Sequence, residues 1–297
     1  MSDAAQPPAF RPATGRDSLP PAAVSHAGSA RTEMSWRLEV RALSVRRADR
    51  LVLQDVDFSL GPGECLSIVG PNGSGKTTLL LTLLGLLPPA AGAVTLNGVD
   101  VRRMPARQRG RWLAYVPQTL TFPPPFYVYD VVADGRFPYV SGVARLRPAD
   151  LDAVQRALER CGLSALADRV FTSLSGGEQR RALLAAAMAQ DPQVLLLDEP
   201  NTALDPAYRL ELVRILLSWL AGRRSLVVVS HDLDLPAGLG GRVLALRGGR
   251  VIAAGPANVV LAPETLTRVY EAPFALVTSA DGRRFSVPRW WTCTPDA

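Results

Sequence analysis

The chain has 297 residues, 47% of them apolar, and a net charge of +6. That size and apolar content support one large domain or two small ones around a substantial core. The positive charge sits on arginines scattered among acids, with no basic tract and no aromatic-basic alternation, so nucleic acid is not expected as a partner and a solvated basic surface accounts for the charge.

Cys65, Cys161 and Cys293 are widely spaced and form no CxxC pair, which argues against a disulfide framework or a zinc site and fits a reducing, cytosolic compartment. Residues 1–35, rich in Pro, Ala and Ser and without an apolar core of signal-peptide length, are predicted to be a disordered leader. No apolar run reaches the ~18 to 20 residues of a membrane span. The richest, LLLTLLGLL at Leu79 to Leu87, runs into Pro88-Pro89 and is predicted to be a buried helix, so a membrane role would require a partner chain.

In chain order, LEVRALSV and LVLQDVDFSL alternate as strands and are followed by the turn GPGE at Gly61 to Glu64. CLSIVG, Cys65 to Gly70, is a continuous apolar strand, and TTLLLTLLGLL is predicted as the helix after a glycine-rich loop. AVTLNGVDV carries an Asn97-Gly98 hairpin turn, and WLAYVPQ is a short strand ending at Gln118. Residues 119–189 change character, with prolines first and then helical patterns in ADLDAVQRALERCGL and GGEQRRALLAAAMAQ. Next come strand VLLLDEP, helix YRLELVRILLSWLAG, strand SLVVVSHD and the strand pair VLALRGGRVIAAG. Alternating strands and helices predict an α/β sheet with parallel strands and an inserted helical subdomain. ADGRR, Ala280 to Arg284, reads as a turn between two short strands, which gives a C-terminal hairpin and tail over 276–297.

The chemistry concentrates in a few motifs. Gly70, Pro71, Asn72, Gly73, Ser74, Gly75, Lys76, Thr77 and Thr78 match the pattern GxxxxGK[ST] between an apolar strand and a helix. In that context backbone N–H groups of residues 72–77 and the helix N-terminus would wrap β- and γ-phosphates, and the Thr77 hydroxyl could reach Mg²⁺. Lys76 is the only lysine among 33 basic residues. A compact ammonium suits a loop too narrow for a planar guanidinium. VLLLDEP places Asp198 at a strand's carboxyl end to hold Mg²⁺, with Glu199 as the base that orients an attacking water. LSGGEQ, Leu174 to Gln179, opens a helix with a second anion-capping start. One γ-phosphate does not need two such cradles, so the second is expected to serve a nucleotide held by another subunit.

From about Leu38 onward the sequence resembles the nucleotide-binding subunits of ATP-binding cassette (ABC) transporters. The resemblance rests on six motifs in order: the phosphate loop, Gln118, LSGGE at Leu174 to Glu178, Val194 to Pro200, ALD at Ala203 to Asp205, and His231 in SHD. It implies a P-loop NTPase core with a mixed sheet and flanking helices, an antiparallel β subdomain and the inserted helical subdomain, together forming a cassette domain over 36–275. It implies an ATPase whose two copies pair head to tail, with ATP between Lys76's loop of one chain and Ser175, Gly176, Gly177 and Glu178 of the other, and with Asp205 in the same interface. His231 would meet the γ-phosphate, and Gln118 would sense Mg²⁺ and the attacking water. Family members carry an aromatic residue on adenine shortly after the first strand. Here the residues are LSVRRADR, and Arg47, or Arg46 if the register slips, is the expected replacement, since a guanidinium can stack on a base.

FPPPFYVYDVVADGRFPYVS, Phe122 to Ser141, and VYEAPFALV, Val269 to Val277, resemble importer ATPases for iron-siderophores, haem and cobalamin. That likeness implies a membrane permease contacted through 119–141, with Phe122, Phe126, Tyr127, Tyr129 and Phe137 facing it or filling the subdomain core. It also implies a periplasmic or lipid-anchored substrate-binding protein, and a peripheral position on the cytoplasmic face of the cell membrane. The alternatives are an importer of another metal or small molecule, or a non-transport switch protein. Against the switch, the stretch between Gln118 and Leu174 is too short for the coiled coils of chromosome-associated members, and the chain has one cassette where ribosome-associated members carry two. A cassette that binds without hydrolysing would lack Glu199 or His231.

Overall fold

Alternating apolar and polar side chains build β1 (Leu38–Arg47) and β2 (Arg50–Leu60), which pair antiparallel around a two-residue turn. The computed structural model describes residues 36–118, 126–140, 145–202 and 205–289. The predicted leader, Phe122, Ala203, Leu204 and the final eight residues lie outside these.

After β3 (Cys65–Val69) the glycine-rich loop leads into α1 (Lys76–Leu83), then β4 (Ala91–Leu96) and β5 (Val99–Asp100). The turn between β4 and β5 has Asn97 and Gly98 both at positive φ, as a two-residue hairpin of right-handed twist requires. Helix α1 is shorter than expected, since the sequence pattern carried it to Leu87. It stops because Gly85 adopts φ 67° and closes a Schellman motif, in which the Leu86 N–H donates to Leu81 O and the Gly85 N–H to Thr82 O.

α2 (Ala106–Gly110), β6 (Leu113–Val116), α3 (Val128–Asp134), α4 (Pro148–Arg160) and α5 (Gly176–Ala189) follow. The chain then returns through β7 (Val194–Asp198), α6 (Pro206–Ala221), β8 (Ser225–Ser230), α7 (Asp234–Leu239), β9 (Arg242–Arg247) and β10 (Arg250–Pro256). It ends with α8 (Ala257–Val260), α9 (Pro263–Tyr270) and the hairpin of β11 (Phe274–Thr278) and β12 (Arg284–Pro288). Among the described residues no helix is long and apolar enough to cross a membrane.

β1, β2, β4 and β5 form an antiparallel sheet in the order β2-β1-β4-β5. The main sheet runs β10-β9-β3-β8-β7-β6, parallel from β9 to β6, with β10 antiparallel at its edge. Its inner strands are buried on both faces, which is why they read as unbroken apolar runs. Alternate residues still divide between two cores. Leu66, Ile68, Leu196, Val227 and Val229 pack with Leu79, Leu80 and Leu83 of α1 and with the antiparallel sheet. Leu195, Leu197, Leu226 and Val228 pack with α3, α4, α5 and α6. The sheet therefore holds α1 on one side and the helical insertion on the other.

Candidate functional site

Four neighbouring parallel strands end at the same edge of the main sheet. β3 opens into the glycine-rich loop, β8 into His231, β7 into Asp198 and Glu199, and β6 into Gln118. Register makes this convergence inevitable, because Val69 pairs with Ser230, Val229 with Asp198, and Leu197 with Val116. The carboxyl edge of such a sheet is where α/β folds build their sites.

Two glycines of the loop have no substitute. Gly70, at φ 148°, leaves no room for a Cβ, which would run into Leu246 O. Gly75, at φ 102°, would place a Cβ 2.6 Å from Leu53 Cδ2 and 3.0 Å from Val52 O. Gly75 is also the N-cap of α1, so no side chain caps that helix start, and no acidic residue lies in its first turn. Unclaimed N–H groups and the positive end of the helix suit an anion. The Lys76 side chain is buried, and Nζ donates to Gly70 O at 2.8 Å and Pro71 O at 3.0 Å. Burial pulls its pKa down, while Glu199 and Asp198 pull the other way.

Glu199 Oε2 collects three contacts from three segments: His231 Nδ1 at 2.9 Å, Gln118 Nε2 at 3.0 Å and Thr202 Oγ1 at 3.2 Å. The Glu199 backbone sits at φ 48°, in the left-handed region that non-glycine residues avoid. Asp198 is buried beneath it. Burial raises its pKa, and hydrogen bonds from Thr77 and from Tyr115 oppose the rise, with the Tyr115 OH at 3.3 Å from Oδ2. Asp198 Oδ1 and Ser74 Oγ are buried without a hydrogen-bond partner among the described residues. An open pocket of about 600 Å³ joins these groups, with Asn72, Gly73, Lys76, Thr77, Thr78, Gln118, Glu199, Thr202 and His231 in its wall. Arg47 and Val52 of the β1–β2 hairpin line the same pocket, whereas Arg46 reaches the Asp49 carbonyl at 3.4 Å.

Other expected site residues lie outside that pocket. Ser175 and Glu178 form a reciprocal capping box on α5, in which the Ser175 N–H donates to Glu178 Oε2 at 2.9 Å and the Glu178 N–H to Ser175 Oγ at 3.3 Å. Gly176 stands in open space, and Gly177 lies against the Tyr208 ring. Asp205 caps α6 by accepting from the Tyr208 N–H at 3.0 Å. Phe126, Tyr127 and Phe137 are exposed, with Phe137 at 66%, while Tyr129 packs against the helical core.

Tyr115 and Thr202 were not anticipated. WLAYVPQ gives a period-2 signal that would place Tyr115 on one face, but its partner Asp198 is 83 positions away. His231 is framed by a further network in which Asn201 Nδ2 and Arg209 Nη1 both donate to Asp232 Oδ2, at 3.0 and 3.1 Å. Only the fold brings these residues together.

The family model described as ABC transporter matches residues 53–202. The chain is 37% identical over 243 residues to the iron(3+)-hydroxamate import ATP-binding protein FhuC of Bacillus subtilis, an alignment covering 81% of this chain and 90% of that protein. It is 42% identical over 241 residues to the hemin import ATP-binding protein HmuV of Nocardia farcinica, covering 80% and 83%. A chain of a metal-chelate type ABC transporter solved in an inward-facing conformation superposes with a TM-score of 0.77 at 28% identity, covering 87% of this chain and all of the other. The glycine-rich loop at the sheet edge, the family match and these relatives agree, and the chain belongs to the ABC transporter family as its ATP-hydrolysing, ATP-binding subunit.

Proposed function

We propose that the chain powers the uptake of an iron-siderophore, haem or cobalamin through a separate membrane permease, as a head-to-tail pair of copies held at the cytoplasmic face of the membrane. The observation that carries this reading is the convergence of Lys76, Thr77, Glu199, Gln118 and His231 on one pocket at one sheet edge, with Asp198 buried beside Glu199. The import proteins to which it is similar supply the substrate class.

Lys76 Nζ exchanges the carbonyls of Gly70 and Pro71 for β- and γ-phosphate oxygens when ATP enters, and the N-terminus of α1 takes the remaining phosphate charge. The residues present fit Mg²⁺: Asp198 Oδ1 is buried and unpartnered among the described residues, the nearby Thr77 side chain opposes the rise in that carboxylate's pKa, and hard divalent cations take oxygen donors. When bound, Mg²⁺ would neutralise charge on the β- and γ-oxygens. With Oε2 engaged by three neighbours, Glu199 keeps Oε1 to accept a proton from water attacking the γ-phosphorus as the bond to the β–γ bridging oxygen breaks. Gln118 and His231 orient that carboxylate and the γ-phosphate. The rate gain is mainly positioning and charge neutralisation.

Ser175, Gly176, Gly177 and Glu178, with Asp205, complete the nucleotide site of the second copy, and Arg47 stacks on adenine. The permease docks on the 119–141 region, through the exposed Phe126, Tyr127 and Phe137. A periplasmic or lipid-anchored binding protein delivers the substrate. The test is uptake into proteoliposomes containing the permease encoded beside this chain, with ferric hydroxamate, haemin and cyanocobalamin as probes. ATP-dependent entry of one of them, lost with Glu199→Gln, supports the reading. Hydrolysis without entry of any of the three overturns the substrate class, and no hydrolysis overturns the whole.

A further inference from the structure

The second turn of α5 carries Arg180 and Arg181, and the two are used differently. Arg181 is anchored on its own side of the helix, where Nη1 donates to Glu211 Oε1 at 2.8 Å and to Cys161 O at 3.4 Å and the guanidinium lies over the Tyr208 ring. That arginine serves packing. Arg180 is partly buried, and among the described residues it forms no ion pair. Its Nη1 donates at 3.3 Å to the main-chain carbonyl of Glu199.

That carbonyl belongs to a residue in a conformation that needs support. A non-glycine residue in the left-handed region costs roughly 1–3 kcal/mol and persists only where its surroundings over-determine it. Beside the contacts on its carboxylate, the Glu199 main chain, at φ 48°, makes three bonds: its N–H donates to Val229 O at 2.9 Å, and its carbonyl accepts from the Thr202 N–H at 3.3 Å and from Arg180. The first comes from β8 and the second from the residue's own turn. Arg180 alone among these three comes from α5, whose first residues are Gly176 and Gly177. The start of α5 packs closely on α6, where a Cβ on Gly177 would already stand 3.1 Å from the Tyr208 ring.

We propose that Arg180 is a positioning residue for Glu199 and that it transmits the state of the Ser175–Gly177 helix start to the carboxylate of the same chain. The inference rests on the head-to-tail pairing proposed above. In that pairing a nucleotide held by one copy touches α5 of the other, and Arg180 makes the second copy's Glu199 responsive to it. Each half of the pair would then hydrolyse in step with the occupancy of its neighbour.

The test is a double-mutant cycle in the full-length chain, using Arg180→Ala, Glu199→Gln and the double variant. Nucleotide affinity is read with a fluorescent ATP analogue, turnover by steady-state and single-turnover hydrolysis, and folding by thermal melting. The expected result for Arg180→Ala is an affinity within about twofold of wild type, with turnover down ~10- to 100-fold, as befits a misplaced catalytic group. The steepness of the rate against ATP concentration should fall to that of independent sites. In the Glu199→Gln background the same substitution should cost nothing further, because the group it positions is gone. Arg180→Lys, which keeps a donor on a flexible stem, should restore part of the turnover, and it carries the test if the alanine variant does not fold. Wild-type turnover and steepness in Arg180→Ala, or an equal loss in both backgrounds, overturns the inference while leaving the ATPase reading intact. A wild-type chain that fails to hydrolyse ATP overturns both.

Discussion

His231 Nδ1 lies 2.9 Å from Glu199 Oε2, although the two residues follow different strands and are separated by helix α6 in the chain. The contact exists because β7 and β8 are parallel neighbours in a register that ends Asp198 beside Val229. Gln118, from the next strand outward, reaches the same oxygen. A carboxylate held on one oxygen from two sides has a defined direction for its other oxygen. Orienting a water is a task for a group held in that way.

Replacing Lys76 by Arg should reduce steady-state ATP hydrolysis about a hundredfold or more, the cost typical of losing one preorganised donor to developing charge. The Lys76 side chain is buried, and its ammonium fits between two carbonyls at 2.8 and 3.0 Å. A guanidinium keeps the charge but is wider and planar. Hydrolysis within twofold of wild type, in a variant that melts normally, would show that charge alone suffices.

Arg47→Ala should raise the Michaelis constant for ATP about two- to fivefold, the range of an exposed cation–π contact, with turnover unchanged. Arg47 lines the pocket with Val52, while Arg46 is turned to the Asp49 carbonyl. Initial rates across ATP concentrations measure it, and an unchanged constant removes the adenine contact.

The helical insertion is held by a buried ion pair. Arg136 Nη2 and Nε donate to Asp150 Oδ1 at 2.8 and 3.1 Å, and Arg136 Nη1 donates to Ala189 O at 2.7 Å. Burial alone would raise the Asp150 carboxyl, but hydrogen bonds from Arg136 and Arg147 outweigh it and bring the pKa to about 2. A carboxyl depressed from 3.8 contributes stability that is complete above about pH 4 and lost as pH falls toward 2. Asp150→Ala, which strands the arginine, should cost about 3–5 kcal/mol in denaturant unfolding at pH 7. At pH 3 the gap between variant and wild type should narrow. An equal gap at both values would mean that the pair does not titrate as described.

Much of this site was legible because its signals are local. Gly70 to Thr78 is a contiguous loop between an apolar strand and a helix, and the doubly buried strands announce themselves as apolar runs ending in Gly70, Asp198 and Ser230. What was missed depends on pairing across the fold. Tyr115 is an ordinary strand residue until β6 is laid beside β7, and Arg180 is an ordinary helix arginine until α5 is packed beneath Glu199. The overlong α1 came from reading leucines as helix while the left-handed Gly85 ends it. Helices α7 and α8 are short, contain or follow prolines, and give no periodic signal of useful length, while α9 buries Leu266 and Val269 at helical spacing over only eight residues.

The central claim is that Glu199 handles the attacking water in a site that binds ATP without it. The direct measurement is Glu199→Gln in the full-length chain, following nucleotide affinity, hydrolysis and ATP-dependent dimerisation on size exclusion. The account predicts affinity within about twofold of wild type, hydrolysis reduced ~100-fold or more as for loss of a general base, and a dimer that persists with ATP. Hydrolysis at the wild-type rate would contradict it.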